Sequence, residues 1–194
     1  MLTMNRRDLI VSAAGAALAL GLDRRVTFLG ASPTSAAIMA DQGFHRFKVG
    51  DVEMTALYDG MWAKPHDANF IEGVSIDDTK AALRAAKLPD DRVPNSYTVT
   101  FVTIGNRTIM FDSGNGATGA PGTGKLAANA KAAGIDLAKL SAIVVTHFHP
   151  DHIFGLMTKE NAQVYANTEI IVPDVEYKYW ADPAVIDKLP EGGK

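Results

Sequence analysis

The sequence predicts an α/β domain, a mixed sheet with helices packed against it. Three observations carry that prediction. Strand-like segments come first and in pairs, joined at Gly50-Asp51 and Gly105-Asn106, both hairpin turn dipeptides. Helical patterns then alternate with strands. Ala142-Ile143-Val144-Val145 is a short, continuously apolar run of the kind that lies inside a sheet covered on both faces.

In chain order, Phe44–Val49 and Val52–Tyr58 alternate apolar and polar residues and read as one hairpin, with Asp59-Gly60 as the next turn. Residues 61–74 contain Pro65 and Gly73 with little periodicity and read as loop. Ser75 is placed to cap a helix running to about Lys87, before Pro89 and Pro94 break the chain. Tyr97–Ile104 and Arg107–Phe111 form the second hairpin. A glycine-rich loop follows from Asp112 to Gly124, with Thr123 expected to cap a helix over residues 124–133 that Gly134 ends. Beyond the buried strand, Gln163–Tyr165 and Glu169–Val172 read as strands, and Pro173 opens a last helix containing Trp180.

The chain has 194 residues, 47% hydrophobic and 21% charged, enough for one domain with a sizeable core. A net charge of −3 offers no basic surface for nucleic acid. With no cysteine, disulfides, thiolate metal sites and a cysteine nucleophile are all excluded. Any metal must be held by imidazole and carboxylate, and three of the five histidines fall between His147 and His152.

Residues 1–40 read as a targeting segment. Asn5-Arg6-Arg7 is a basic start, and Leu9–Leu22 is an apolar run shorter than the about 20 residues that span a bilayer. Small residues around Ser35-Ala36-Ala37 and Ala40 suit a signal peptidase. Arg6-Arg7-Asp8-Leu9-Ile10 resembles a twin-arginine export signal, with Leu9 in place of the usual phenylalanine; a buried or membrane-anchoring helix is the alternative. Cleavage would remove four arginines and two aspartates and leave a net charge of −5. The expectation is a bacterial periplasmic or secreted protein with no stable membrane anchor. Residues 41–194 then form its folded part.

Thr146-His147-Phe148-His149-Pro150-Asp151-His152 directly follows the buried strand. Side chains at i and i+2 of an extended segment point the same way, so His147 and His149 can share an ion. Pro150 is suited to the first position of a helix, which puts Asp151 and His152 in the first turn beside them. One corner thus presents three imidazoles and a carboxylate, the donor types zinc accepts. Surface histidines or an adventitious metal site are the bland alternative.

These residues resemble the H-x-H-x-D-H signature of the metallo-β-lactamase superfamily, and Ile109-Met110-Phe111-Asp112-Ser113-Gly114 resembles its first motif. The resemblance covers about residues 44–185 and implies an αββα sandwich made of two similar halves. It implies two Zn2+ ions, His147 and His149 on the first and Asp151 and His152 on the second. Asp112 and Thr146 would support the ligand loop, and Asp151 would also orient a metal-activated hydroxide or take its proton. Residues 50–57 and 126–134, with Glu176 and Trp180, look closest to the exported methyl parathion hydrolase-like branch. The activity so implied is hydrolysis of a small-molecule ester, lactone or phosphotriester. A β-lactamase or other hydrolase of the same fold is an alternative.

In that family the second half supplies further histidines and a bridging aspartate. After His152 this sequence has no histidine, and Asp174, Asp182 and Asp187 stand outside a Gly-Asp context. The chain therefore reads as the N-terminal half of the sandwich, truncated or ended early. It is expected to be inactive alone, with an apolar sheet face exposed. A non-catalytic half-domain binding protein, monomeric or homodimeric, is the rival reading. A redox di-iron site is disfavoured by His149, which stands where such relatives carry glutamate. Gly119–Leu126 nearly spells a P-loop, but Leu126 replaces the hydroxyl residue that holds magnesium, so no nucleotide is expected. His45 and His66 read as solvated, and Trp62 and Phe70 as core or as an apolar substrate wall.

Overall fold

The computed structural model describes residues 42–189. The export segment read at residues 1–40 lies outside the described residues. A six-stranded sheet is built in sequence order from β1 (Phe44–Val49), β2 (Val52–Lys64), β3 (Val93–Ile104), β4 (Arg107–Phe111), β5 (Ala142–Val144) and β6 (Glu169–Ile171). The first four strands pair antiparallel, and β4–β5 and β5–β6 pair parallel. Helices α1 (Ile76–Ala85), α2 (Leu126–Ala132), α3 (Pro150–Ile153), α4 (Asp174–Trp180) and α5 (Pro183–Ile186) connect or follow them. None of the described helices is long and apolar enough to cross a membrane.

Pleating separates the two faces of the sheet. Leu57, Val99, Phe101, Met110 and Ile143 are buried on one face, where Leu126 and Ala130 of α2 join them with Leu140, Val145 and Tyr165. On the other face Met54 is opposite Val102, and Val102 is opposite Ile109. Phe111, Val144 and Ile171 continue that face across the parallel strands. All six of these apolar residues are half-buried or exposed.

Several elements depart from the sequence reading for identifiable reasons. Asp59-Gly60 is no turn: β2 runs on through it to Lys64, with a register shift between Tyr58 and Gly60. Asp59 is fully buried there, its carboxylate taken up by backbone donors from distant segments, and Gly60 supplies the φ of 129° that the bulge requires. The expected loop at 61–74 is thus strand in its first four residues. β3 starts at Val93 and includes Pro94, which is tolerated because β4 pairs only with Thr100–Ile104, leaving that end an edge.

Ser75 does cap α1, accepting from the Asp78 N–H at 3.0 Å, and the helix ends at Ala85, two residues short of Lys87. α2 begins at Leu126 and not at 124, and Thr123 does not cap it. The Thr123 hydroxyl bonds the Ala120 carbonyl, and the Leu126 N–H goes to Asp59. Gln163–Tyr165 is not a strand; Gln163 makes one isolated bridge to Met157. His66 is half-buried with Nε2 2.8 Å from the Asp90 carbonyl, and His45 is half-buried too. Trp62 and Phe70 belong to no core: the Lys64 ammonium lies 5.2 and 4.4 Å from their ring centres.

Burial, reinforced by the Asp59 charge, pushes the Tyr165 hydroxyl up from 10.0 to about 12. The folded state then holds this proton more tightly than the unfolded one. Its contribution is complete below pH 10 and is lost as the pH rises from 10 to 12, on the order of 3 kcal/mol in total. In an absorbance titration Tyr165 should ionise well above the ordinary tyrosine value of 10.0. If it ionises near 10 while circular dichroism still reports a folded chain, its place in the core is wrong.

Candidate metal centre

The corner is assembled where β4 and β5 end side by side. Asp112 follows β4 with φ 63°, a left-handed conformation that aspartate tolerates better than most residues, and its N–H bonds the Val144 carbonyl at 2.9 Å. This turn aims its carboxylate across the end of β5. Oδ1 accepts from the Thr146 N–H at 2.7 Å, and Oδ2 accepts from the Thr146 hydroxyl at 3.0 Å and from His152 Nδ1 at 2.8 Å.

His149 is extended (φ −69°, ψ 150°), and Pro150 starts the single turn of α3, as its ring geometry favours. The turn brings His152 back until its ring centre is 3.9 Å from that of His147. His147 Nε2 lies 3.1 Å from His149 Nδ1, and His152 Nε2 lies 3.2 Å from Asp151 Oδ2. The four residues named from sequence are therefore brought together, with Asp112 and Thr146 directly behind them.

Hydrogen-bond bookkeeping orients two of the rings. Thr146 gives its one proton to Asp112, so at 3.0 Å from His147 Nδ1 it accepts the ring N–H. His152 likewise donates from Nδ1 to Asp112. In both imidazoles Nε2 is left unprotonated, the arrangement in which a supporting carboxylate or hydroxyl fixes a ligand histidine. His152 Nε2 then faces the lone pairs of Asp151 Oδ2, and that contact is favourable only with a shared cation, proton or metal, between them.

Two zinc ligands at about 2.05 Å on a tetrahedron stand about 3.4 Å apart. The pairs at 3.1 and 3.2 Å are close to that separation. The donor chemistry fits zinc, two donors to an ion. Among the described residues, no group of three or more His, Asp or Glu side chains converges as a complete metal shell.

Two features escaped the sequence reading. Asp59, read as a turn residue, anchors the loop behind the corner. It accepts from the Asn115 N–H (2.8 Å), Asn115 Nδ2 (3.1 Å) and the Leu126 N–H (3.0 Å). The same loop grips the ligand turn, since Ser113 donates from both N–H and hydroxyl to the His152 carbonyl at 2.8 and 2.9 Å. The loop and the turn meet so closely at Gly155 that a Cβ there would sit 1.9 Å from the Ser113 carbonyl oxygen.

The second is Tyr97. With Ser96, Thr98, Val99, Gly114, Asp112, Asp151 and His152 it lines a cavity of about 190 Å³ beside the corner. Its hydroxyl accepts from Asn95 Nδ2 at 2.6 Å, and burial, followed by the nearby Asp151 charge, raises its pKa. No spacing in the sequence distinguishes Tyr97 from any other strand residue.

The family model of the metallo-β-lactamase superfamily matches residues 71–189, from just before α1 through the ligand corner to just past α5. This chain belongs to the metallo-β-lactamase superfamily. The sheet and its packed helices are this fold, and several solved structures match it. The dizinc quorum-quenching lactonase AidC, in complex with a product, is 26% identical with a TM-score of 0.68, over 75% of this chain and 49% of that one. The hydrolase AbOPH of the β-lactamase superfamily is 28% identical with a TM-score of 0.66, over 77% of this chain and 51% of that one. A probable metal-dependent hydrolase from Staphylococcus aureus, at 16% identity and a TM-score of 0.57 over 73% of this chain and 54% of that one, shares the fold. The chain thus spans about half the length of the solved structures it matches. No curated protein matches it.

Proposed function

We propose that this chain supplies the first part of a two-zinc hydrolase site, with His147 and His149 for one ion and Asp151 and His152 for the other. The observation that supports it is the corner itself. Four donors stand in two pairs, at 3.1 and 3.2 Å, and two imidazoles have Nδ1 fixed from behind, which leaves Nε2 unprotonated. Zinc, when bound, brings the pKa of a coordinated water to about 7 and polarises a carbonyl or phosphoryl oxygen.

The chain's own residues do the rest. Asp112 and Thr146 hold the rings in one tautomer, so no reorganisation is needed when the ligands are used. Asp151 lines the adjacent cavity and is placed to take a proton there. Tyr97 presents a neutral hydroxyl on the same cavity. A cavity of about 190 Å³ admits a small substrate, and the proposed class is a lactone, ester or phosphotriester, with the methyl parathion hydrolase-like branch as the parent group. The likeness to a dizinc lactonase supports the lactone first. The ligands that complete each ion come from outside the described residues.

A second reading, a half-domain that binds without catalysing, is favoured by one observation: no three donors converge among the described residues. One experiment separates them. Zinc is titrated into the full chain against a chromophoric chelator, beside His147→Ala, and a homoserine lactone and a phosphotriester are assayed on the protein carrying the remaining ligands. The hydrolase reading expects His147→Ala to weaken zinc binding at least tenfold and turnover to need zinc. Zinc uptake indifferent to His147→Ala, with no turnover, would leave the binding reading.

A further inference from the structure

The extended segment between β5 and α3 carries both paired histidines, and two carboxylates from elsewhere in the chain hold its backbone. Asp112 takes the Thr146 N–H. Glu176, on α4, takes the Phe148 N–H at 2.9 Å, across 28 residues of chain, at the position between the two histidines. The same Glu176 oxygen, Oε2, also accepts from Trp180 Nε1 at 3.1 Å, one helical turn along α4. Among the described residues Glu176 enters no ion pair, so its charge is directed onto these two N–H donors.

An N–H between two ligand residues is a strong lever on their spacing. Rotation of either peptide unit beside Phe148 moves the imidazoles relative to one another. A charge-assisted bond at that N–H fixes the rotation, and the Trp180 indole fixes the carboxylate in turn.

We propose that Glu176 is a positioning residue of the metal-ligand segment: through the Phe148 N–H it sets the separation of His147 and His149, with Trp180 as its backstop. The role rests on the reading of those two histidines as zinc ligands. It makes α4, which contributes no donor of its own to the corner, part of the site's support.

The test uses the full chain and three variants: Glu176→Ala, Glu176→Gln and Trp180→Phe. Two quantities are read, zinc affinity by chelator competition and the 15N shifts of the Phe148 amide and of both imidazoles without metal. Glu176→Ala should weaken zinc binding by about 10- to 100-fold, the usual effect of losing a supporting partner, and should move all three sets of shifts. Glu176→Gln keeps an acceptor oxygen and should restore most of both. Trp180→Phe should fall between them. A Glu176→Ala chain that melts earlier yet binds zinc as the wild type does, with unmoved imidazole shifts, overturns the proposal.

Should Glu176→Ala fail to fold, Glu176→Asp withdraws the carboxylate by one methylene and is judged by the same readouts. If the wild-type chain takes up no zinc, the metal reading fails by itself. The metal-free imidazole shifts then decide the positioning role alone.

Discussion

Asp59→Ala is expected to destabilise the folded chain by about 3–5 kcal/mol, measured by urea denaturation. The carboxylate is fully buried and takes three N–H donors, two from Asn115 and one from Leu126 at the start of α2. Hydrogen bonds to a charged acceptor contribute about 1.5–3 kcal/mol each, and they are not additive. Truncation to alanine leaves all three donors buried without a partner. Asp59→Asn separates shape from charge: it keeps the volume, but one of its atoms becomes an amide NH2 pointed at an N–H. It should therefore recover only part of the loss. A loss within about 1 kcal/mol for Asp59→Ala, no more than an ordinary single hydrogen bond, would show that the buried carboxylate does not hold the loop.

The larger functional effect is expected at Asp112. In Asp112→Asn the fold should survive, because asparagine also tolerates the left-handed φ of 63° and its amide oxygen can still accept from the Thr146 N–H. The group facing His152 Nδ1 then becomes a donor. His152 must turn that nitrogen into an acceptor and carry its proton on Nε2, the nitrogen that faces Asp151. The lone pair proposed for zinc is then capped by hydrogen, and zinc binding should fall by about 10- to 100-fold with little change in melting temperature. Imidazole 15N spectra report the tautomer directly and without metal. An unchanged His152 tautomer together with unchanged zinc affinity would remove Asp112 from the supporting role.

How much of this was legible beforehand follows the range of the forces involved. The ligand corner is a local object. An apolar strand, an extended His-x-His, a proline that favours a helix start and two further donors in the first turn all act within the eleven residues 142–152. The hairpins at Gly50-Asp51 and Gly105-Asn106 and the Ser75 cap are local in the same sense: each needs only the φ or the hydrogen bond that its own few residues supply. The sequence by itself therefore determined the fold class, the two hairpins and the identity of the candidate ligands.

The tertiary structure decided what depends on partners far along the chain. Asp59-Gly60 has the composition of a turn, yet β2 continues through it because Asp59 finds donors 56 and 67 residues away. The start of α2 shifts to Leu126 for the same reason, since Asp59 and not Thr123 takes the N–H there. Glu176 reaches the ligand segment, and Tyr97 the cavity beside it, only because the fold brings α4 and the first part of β3 to the corner. A buried polar group is settled by whichever partner the fold delivers. Local pattern shows that such a group needs a partner, and only the packed chain supplies it.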